Sequence, residues 1–189
     1  MSELHVDIWN NFRDGDDNAF GELFEMFSDS LFRYGIKLVQ DEELVKDCVQ
    51  DLFIKIYKNR ASLSTTTNPK FYLLHSLKNI IRDILVKKKR LVYYSPQEMH
   101  FFAEYEAPDS HDEPNENNEK FAQIIENLSP RQKESIYLRY QMDLSYEEIA
   151  QMLDINYQST RNLIYRAITK IRSEMDFVIF LAVFLKIYN

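Results

Sequence analysis

Apolar residues recur along this chain three and four positions apart, the spacing that lines one face of a helix. Leu4, Ile8, Trp9 and Phe12 predict a short helix over 3–13. After the polar cluster DGDD, the stripe Phe20, Leu23, Phe24, Phe27, Leu31 and Tyr34 predicts a second over 17–39. Asp41 is a good N-cap for a third, which carries Leu44, Cys48, Leu52 and Ile56 at four-residue intervals and runs to about Lys58. The run SLSTTTNP closes on Asn68 and Pro69, a cap followed by proline at the first helical position. A fourth helix is expected from there to about Lys88.

Toward the C-terminus the start signals sharpen. In Ser129-Pro130-Arg131-Gln132 the serine can cap, proline sits at the first helical position, and glutamine can reach back. Ser145-Tyr146-Glu147-Glu148 holds a complete capping box. A helix over 146–153 turns Ile149, Ala150 and Leu153 inward, and the small Ala150 lets a second helix cross closely. Asp154-Ile155-Asn156 then makes a three-residue turn, with Ile155 in the core and Asn156 capping a last helix that runs to about Met175. That helix buries some combination of Leu163, Ile164, Ala167 and Ile171 and presents Arg161, Asn162, Tyr165, Arg166 and Lys170. This is the grammar of a helix-turn-helix. Asp154 stands where such motifs usually place glycine, and aspartate tolerates a left-handed backbone better than most residues.

Between the two helical regions the periodicity stops. Residues 96–119 carry three prolines, eight acidic residues and no basic one, the composition of a poorly ordered acidic linker. Its aromatic cluster, Phe101, Phe102 and Tyr105, leaves docking open. The expected architecture is all-α: two small helical domains, 1–95 and 120–175, joined by the acidic linker 96–119 and followed by an apolar tail, 176–189. Three glycines and five prolines in 189 residues are too few for a turn-rich β fold.

Charge changes the picture once it is localised. The net −7 sits almost wholly in the linker, since 1–95 balances 14 basic against 14 acidic residues and 120–175 balances 8 against 7. The rest of the chain is therefore able to present local basic faces. Residues 157–173 contain Arg161, Arg166, Lys170 and Arg172 and no acid, which suits a recognition helix in a major groove. Lysine and arginine neutralise phosphates there, and arginine and asparagine pair with base edges. The competing reading of the same residues is a solvated face on an ordinary helical hairpin.

Other chemistries find little support. One cysteine, Cys48, allows no internal disulfide and no multi-cysteine zinc site, and it reads as a buried small hydrophobe in a reducing, cytoplasmic compartment. The four histidines, His5, His75, His100 and His111, have no metal-ligand spacing, and no phosphate-cradling glycine loop or nucleophile motif is present. No enzyme activity and no cofactor or metal are expected. The run Phe177 to Leu185 is shorter than the ~20 residues a membrane span needs, so no direct membrane insertion is expected.

The segment NLSPRQKESIYLRYQMDLSYEEIAQMLDINYQSTRNLIYRAITKIR resembles region four of extracytoplasmic-function (ECF) sigma factors of bacterial RNA polymerase. The resemblance implies contacts to the −35 promoter element from Arg161, Asn162, Tyr165 and Arg166, with Ser159 and Lys170 beside them. EELVKDCVQDLFIKIYKNR resembles region 2.2, which implies that Asp47, Gln50, Asp51 and Phe53 meet the clamp helices of the polymerase β′ subunit. FYLLHSLKNIIRDILVKKKR resembles regions 2.3 and 2.4. By that likeness Tyr72, Asn79 and Asp83 lie near an extruded −10 base, the loop 62–68 with Ser64, Thr65 and Asn68 receives it, and Lys87, Lys88, Lys89 and Arg90 hold the separated strand. A polar pocket beside aromatics suits an unstacked base, and a basic cluster suits its backbone. Tyr72 stands where many relatives have tryptophan, and His75 where they often have arginine.

What the resemblance implies is a non-enzymatic sigma factor that binds core RNA polymerase through the β′ clamp helices and β flap, directs it to promoter DNA, and is held in check by an anti-sigma factor. It further implies that the linker threads toward the RNA exit path, where eight acids without a base suit a nucleic-acid mimic. The competing class is a helix-turn-helix repressor or activator that works without polymerase, with the tail DFVIFLAVFLKIY as its dimerising element; a helical adaptor is a third.

Overall fold

A computed structural model describes residues 3–91, 101 and 122–174, all helical or connecting, with no strand among them. The chain divides into two compact units, Met1–Met99 and His100–Asn189. The first holds α1 (Glu3–Arg13), α2 (Asp17–Val39), α3 (Glu42–Lys58), a 3₁₀ turn (Arg60–Ser62) and α4 (Pro69–Leu91). The second holds α5, helical over 122–126, then α6 (Pro130–Tyr140), α7 (Tyr146–Leu153) and α8 (Tyr157–Glu174). The expectations for the side chains of Lys88, Lys89 and Arg90, for the acidic segment apart from Phe101, and for 176–189 lie outside the described residues.

In the first unit, caps fix the helix starts and aromatics fill the middle. The Asp16 carboxylate accepts from the Asn18 and Ala19 amides at 2.8 and 3.4 Å, and Asp41 accepts from Leu44 at 3.1 Å. Trp9, Phe12, Leu23, Phe27, Leu31, Tyr34, Leu52, Ile56 and the α4 row Leu73, Leu74, Leu77 and Ile81 are fully buried. Such aromatic burial dominates a small core. Gly35 brings α2 against α3: a Cβ there would lie 2.6 Å from Val45 Cγ1, a distance no side chain tolerates. The apolar stripes overstate burial at two points. Leu4, in the first turn of α1, is 59% exposed, so the buried row begins at Ile8, and Phe24 is 45% exposed at the edge of the α2 face.

An ion pair closes the far end of this unit. Arg60 donates to Asp17 at 2.7 Å, Tyr57 donates to the same oxygen at 3.1 Å, and the Arg60 guanidinium lies 4.9 Å from the Tyr57 ring. The hydrogen bond from Arg60, then that from Tyr57, lowers the Asp17 pKa. On α1, His5 meets Phe27 edge-on, and its Nδ1 is buried without a hydrogen-bond partner. Burial first, then the positive charges of Lys70 and the N-terminus, lower its pKa.

The second unit is smaller and aliphatic, built on Ile124, Leu128, Leu138, Leu144, Ile149, Ile164 and Ile171. Its caps are the expected ones. Ser129 and Gln132 exchange both bonds of a capping box, as do Ser145 and Glu148. Phe101 is 2% exposed, its ring 5.3 Å from that of Tyr137. One residue of the linker's aromatic cluster thus docks against α6.

Candidate nucleic-acid interface

The turn between α7 and α8 forms because each of its three residues takes a defined role. Asp154 adopts φ 52° and ψ 50°, the left-handed conformation, and its amide bonds back to Ala150 and Gln151. Aspartate fills the position usually left to glycine, as its tolerance of that region allows. Ile155 donates to the Ala150 carbonyl at 3.0 Å and is half-buried rather than fully in the core. Asn156 then accepts from the Ser159 amide at 2.8 Å and starts α8. The inward row of α8 is Thr160, Ile164, Ala167 and Ile171, with Leu163 only half-buried. Thr160 fits inside because its hydroxyl donates to the Asn156 carbonyl at 3.1 Å.

The opposite face carries the expected set. Ser159, Arg161, Asn162, Tyr165 and Arg166 are all exposed, Tyr165 at 71%. Its ring stands open to water on a helix with no acid over 157–173. Lys170 departs from this set: its ammonium donates to the Asn127 carbonyl at 2.7 Å, tying α8 to the end of α5, and the residue is half-buried. Three residues missed in the sequence join the face. Arg161 lies 5.9 Å from the Tyr157 ring, Tyr157 meets Tyr146 edge-on at 6.2 Å, and Arg139 lies 5.3 Å over Tyr146. Arg139 also donates to the Leu144 carbonyl at 2.9 Å. This ladder of two arginines and two tyrosines crosses from α6 to α8. The Tyr157 and Arg161 spacing of four was a legible signal; the links through α6 and α7 needed the fold.

In the first unit, Asp47, Gln50 and Asp51 share an exposed face of α3. Phe53 does not join them. It is 3% exposed and packs against Phe24 at 4.9 Å, because its position in the helix turns it toward α2. The apolar residue that does share the acidic face is Ile54, exposed between neighbours three and four positions away. A stripe search for core residues passes over it.

Tyr72, Asn79 and Asp83 lie seven and four residues apart on α4, and so along one side. Tyr72 is half-buried with its ring 5.1 Å from that of Trp9. Asp83 and Lys87 are exposed. His75 stacks on Phe71 with ring centres 5.7 Å apart and 28° between planes. The Asn79 amide nitrogen lies 3.4 Å from His75 Nδ1. Burial, then the positive charges of Lys78 and Arg82, hold the His75 pKa below its ordinary value. In the preceding loop Ser64 and Thr65 are exposed, whereas Asn68 is buried as the cap of α4, its Oδ1 accepting from Phe71 at 3.1 Å. The loop itself is pinned from α1: Trp9 Nε1 donates to the Ser64 carbonyl at 3.2 Å, and Arg13 Nε to that of Leu63 at 2.7 Å. Among the described residues no cluster of His, Cys, Asp or Glu is arranged to hold a metal. No helix among them is long and apolar enough to cross a membrane.

Comparison with known proteins places both units. Residues 23–91 match the family pattern described as Sigma-70 region 2, and residues 118–171 match Sigma-70, region 4. The chain is 25% identical over 157 residues to the ECF RNA polymerase sigma factor BldN of Streptomyces coelicolor, a match covering 82% of this chain and 59% of BldN. It is 24% identical over 161 residues to the RNA polymerase sigma factor CarQ of Myxococcus xanthus, covering 85% of this chain and 91% of CarQ. Among solved structures, the sigma factor RpoE of Bartonella quintana, in complex with the anti-sigma factor NepR, shares the fold. That likeness has a TM-score of 0.59 at 21% identity and covers 82% of this chain and 95% of RpoE. The chain thus carries Sigma-70 region 2 followed by Sigma-70, region 4, together spanning most of its length, and is similar to proteins named as ECF sigma factors.

Proposed function

We propose that this protein binds core RNA polymerase and directs promoter-specific transcription initiation, with no catalysis of its own. The observation that carries the reading is the pairing, in one chain, of region 2 and region 4 patterns with exposed candidate faces on both. In this reading α8 enters the major groove of the −35 element. Arg161, Asn162, Tyr165 and Arg166 face base edges and phosphates, and Ser159, Tyr157 and Arg139 flank them. Lys170 is kept for holding α8 in place. The side of α4 with Tyr72, Asn79 and Asp83, together with Ser64 and Thr65, faces the −10 element, and Lys87 to Arg90 hold its backbone.

Asp47, Gln50, Asp51 and Ile54 face the β′ clamp helices, a polar rim around one apolar residue, and region 4 meets the β flap. Phe53 supports that face from beneath. The acidic residues 96–119 link the two DNA-binding domains, 1–95 and 120–175. The protein works in the cytoplasm. By analogy with RpoE, whose solved structure is a complex with the anti-sigma factor NepR, a protein of that class restrains it.

The test is transcription from a genomic promoter library by core polymerase, with and without the purified chain. Initiation at discrete sites only when the chain is added is the expected result. Site-specific DNA binding without any initiation would instead identify a repressor or activator. The paired replacement Asp51→Lys and Ile54→Glu should abolish co-purification with the core, and its retention would remove the α3 face from the interface.

A further inference from the structure

The contact between His75 and Asn79 carries a consequence for base selection. An amide nitrogen only donates, so the 3.4 Å approach of Asn79 Nδ2 to His75 Nδ1 makes the ring nitrogen the acceptor. His75 is then the neutral tautomer with its proton on Nε2. Its surroundings favour that form: it is half-buried, Phe71 stacks on its face, and Lys78 and Arg82 oppose a further positive charge. One N–H of Asn79 is therefore committed to the helix's own surface, and the amide turns its oxygen, with the second N–H beside it, away from His75. Asn79 is itself half-buried, on the side of α4 that also carries Tyr72 and Asp83.

We propose that His75 is a positioning residue that fixes the orientation of the Asn79 amide and thereby selects a base with an exocyclic amino group, adenine or cytosine, at one position of the −10 element. The inference rests on the reading that Asn79 faces that element. The free carbonyl oxygen accepts from adenine N6 or cytosine N4, whereas the exocyclic oxygen of guanine or thymine would meet it as a second acceptor. A donor in place of His75 would reverse the amide: the oxygen would turn inward and the NH₂ outward.

The experiment uses holoenzyme reconstituted from the full chain and core polymerase. A promoter library randomised through the −10 element is selected for open complexes and sequenced. The wild-type profile should show, at one position, adenine and cytosine preferred over guanine and thymine by about three- to tenfold, the worth of one hydrogen bond. Asn79→Ala should flatten that position, and so should His75→Leu. His75→Asn, whose carbonyl oxygen can replace Nδ1 as acceptor, should retain the preference, and His75→Arg should shift it toward guanine and thymine.

If Asn79→Ala flattens a position that His75→Leu and His75→Arg leave unchanged, the positioning role is overturned while the function stands. If Asn79→Ala alters no position, Asn79 does not read the element and the proposal falls with it. An equal loss of open complexes on every sequence in both His75 variants would also overturn it, by showing a structural role alone.

Discussion

The two units hold their candidate DNA-facing residues by different means. Among the described residues the largest fully buried side chains, from Trp9 and Tyr34 to Leu77 and Ile81, all belong to the first unit. There Tyr72 and Asn79 are half-buried, Tyr72 against Trp9 and Asn79 beside His75, and the 62–68 loop is held by Trp9 and Arg13, while Ser64, Thr65, Asp83 and Lys87 are exposed. In the second unit the core is mostly aliphatic, with Phe101 against Tyr137, and hydrogen bonds at helix ends fix the approach to α8: Ser145 with Glu148, Asp154 in its left-handed turn, Asn156 on Ser159. Its outward residues stand in water. On the proposed function the contrast suits two tasks: an unstacked base is met by side chains already held in place, whereas reading duplex DNA calls for a rigid helix whose side chains are free to meet groove and phosphates.

The comparison breaks most readily at Trp9. Trp9→Ala removes the largest fully buried side chain of the first unit and should cost about 3–5 kcal/mol of stability. It also strips the Ser64 carbonyl of its donor and Tyr72 of its ring partner. Urea denaturation followed by circular dichroism should show an early transition for the first unit. A single unshifted transition would mean that the aromatic core is not what holds this unit and its 62–68 loop.

The reverse result is expected at Arg161. Exposed and tied to no core, Arg161→Ala should leave thermal stability within about 0.5 kcal/mol. Its effect should fall on duplex recognition, about 1–3 kcal/mol if it makes a paired base contact. Holoenzyme binding to promoter DNA bearing single substitutions in the −35 element measures it. Unchanged discrimination at every −35 position would remove Arg161 from the reading face, while a large drop in stability would blur the distinction between the units.

How much of this was legible in the chain follows the same division. The second unit's caps, turn and last helix could be read closely, because their determinants are local, while the bond of Lys170 to Asn127 and the Arg139–Tyr146–Tyr157–Arg161 ladder could not. Both capping boxes, the aspartate turn and the outward arginines depend on residues within a few positions of one another. The first unit gave up its helices but not its surface. The stripes counted Leu4 and Phe24 with the buried face, since periodicity gives a direction around a helix and not the reach of the neighbour across it; Phe53 was set beside the acidic residues by the family likeness, and the fold turns it toward α2. Asn68 was read as a base contact and as a cap; the structure makes it a buried cap. Ile54, the Gly35 approach to Val45 and the hold of α1 on the loop join residues far apart in sequence, which no single-helix pattern records.

Ser145 offers a milder way to sharpen the contrast. Ser145→Ala removes the oxygen that accepts from the Glu148 amide at 3.2 Å and leaves α7 without its cap. About 1 kcal/mol should be lost. Because α7 seats α8, the loss should appear in −35 binding as well as in the melting of the second unit, with the first unit unmoved. Restoration by Ser145→Asp would assign the effect to capping. A loss that aspartate fails to restore would point to packing instead.

The smallest effect expected is a response to mild acid confined to the first unit. His5 and His75 both lie there, and residues 122–174 contain no histidine. Each has a pKa lowered from 6.5, chiefly by burial. The unfolded chain therefore binds protons near pH 6.5 that the folded unit resists, so folding stability is fully present above 6.5 and is lost as pH falls through the lowered values. Asp17, also lowered but from 3.8, titrates well below this window. Trp9 is the chain's one tryptophan, so its fluorescence follows the first unit specifically. The urea midpoint by tryptophan emission should move down between pH 7 and pH 5.5, while a far-ultraviolet signal from the second unit's helices holds. Replacing both histidines with glutamine should flatten the response, because glutamine has no proton to gain. If the wild-type midpoint did not move, burial of the two rings would not be costly to their charged forms, and the first unit would owe its stability to the aromatic core alone.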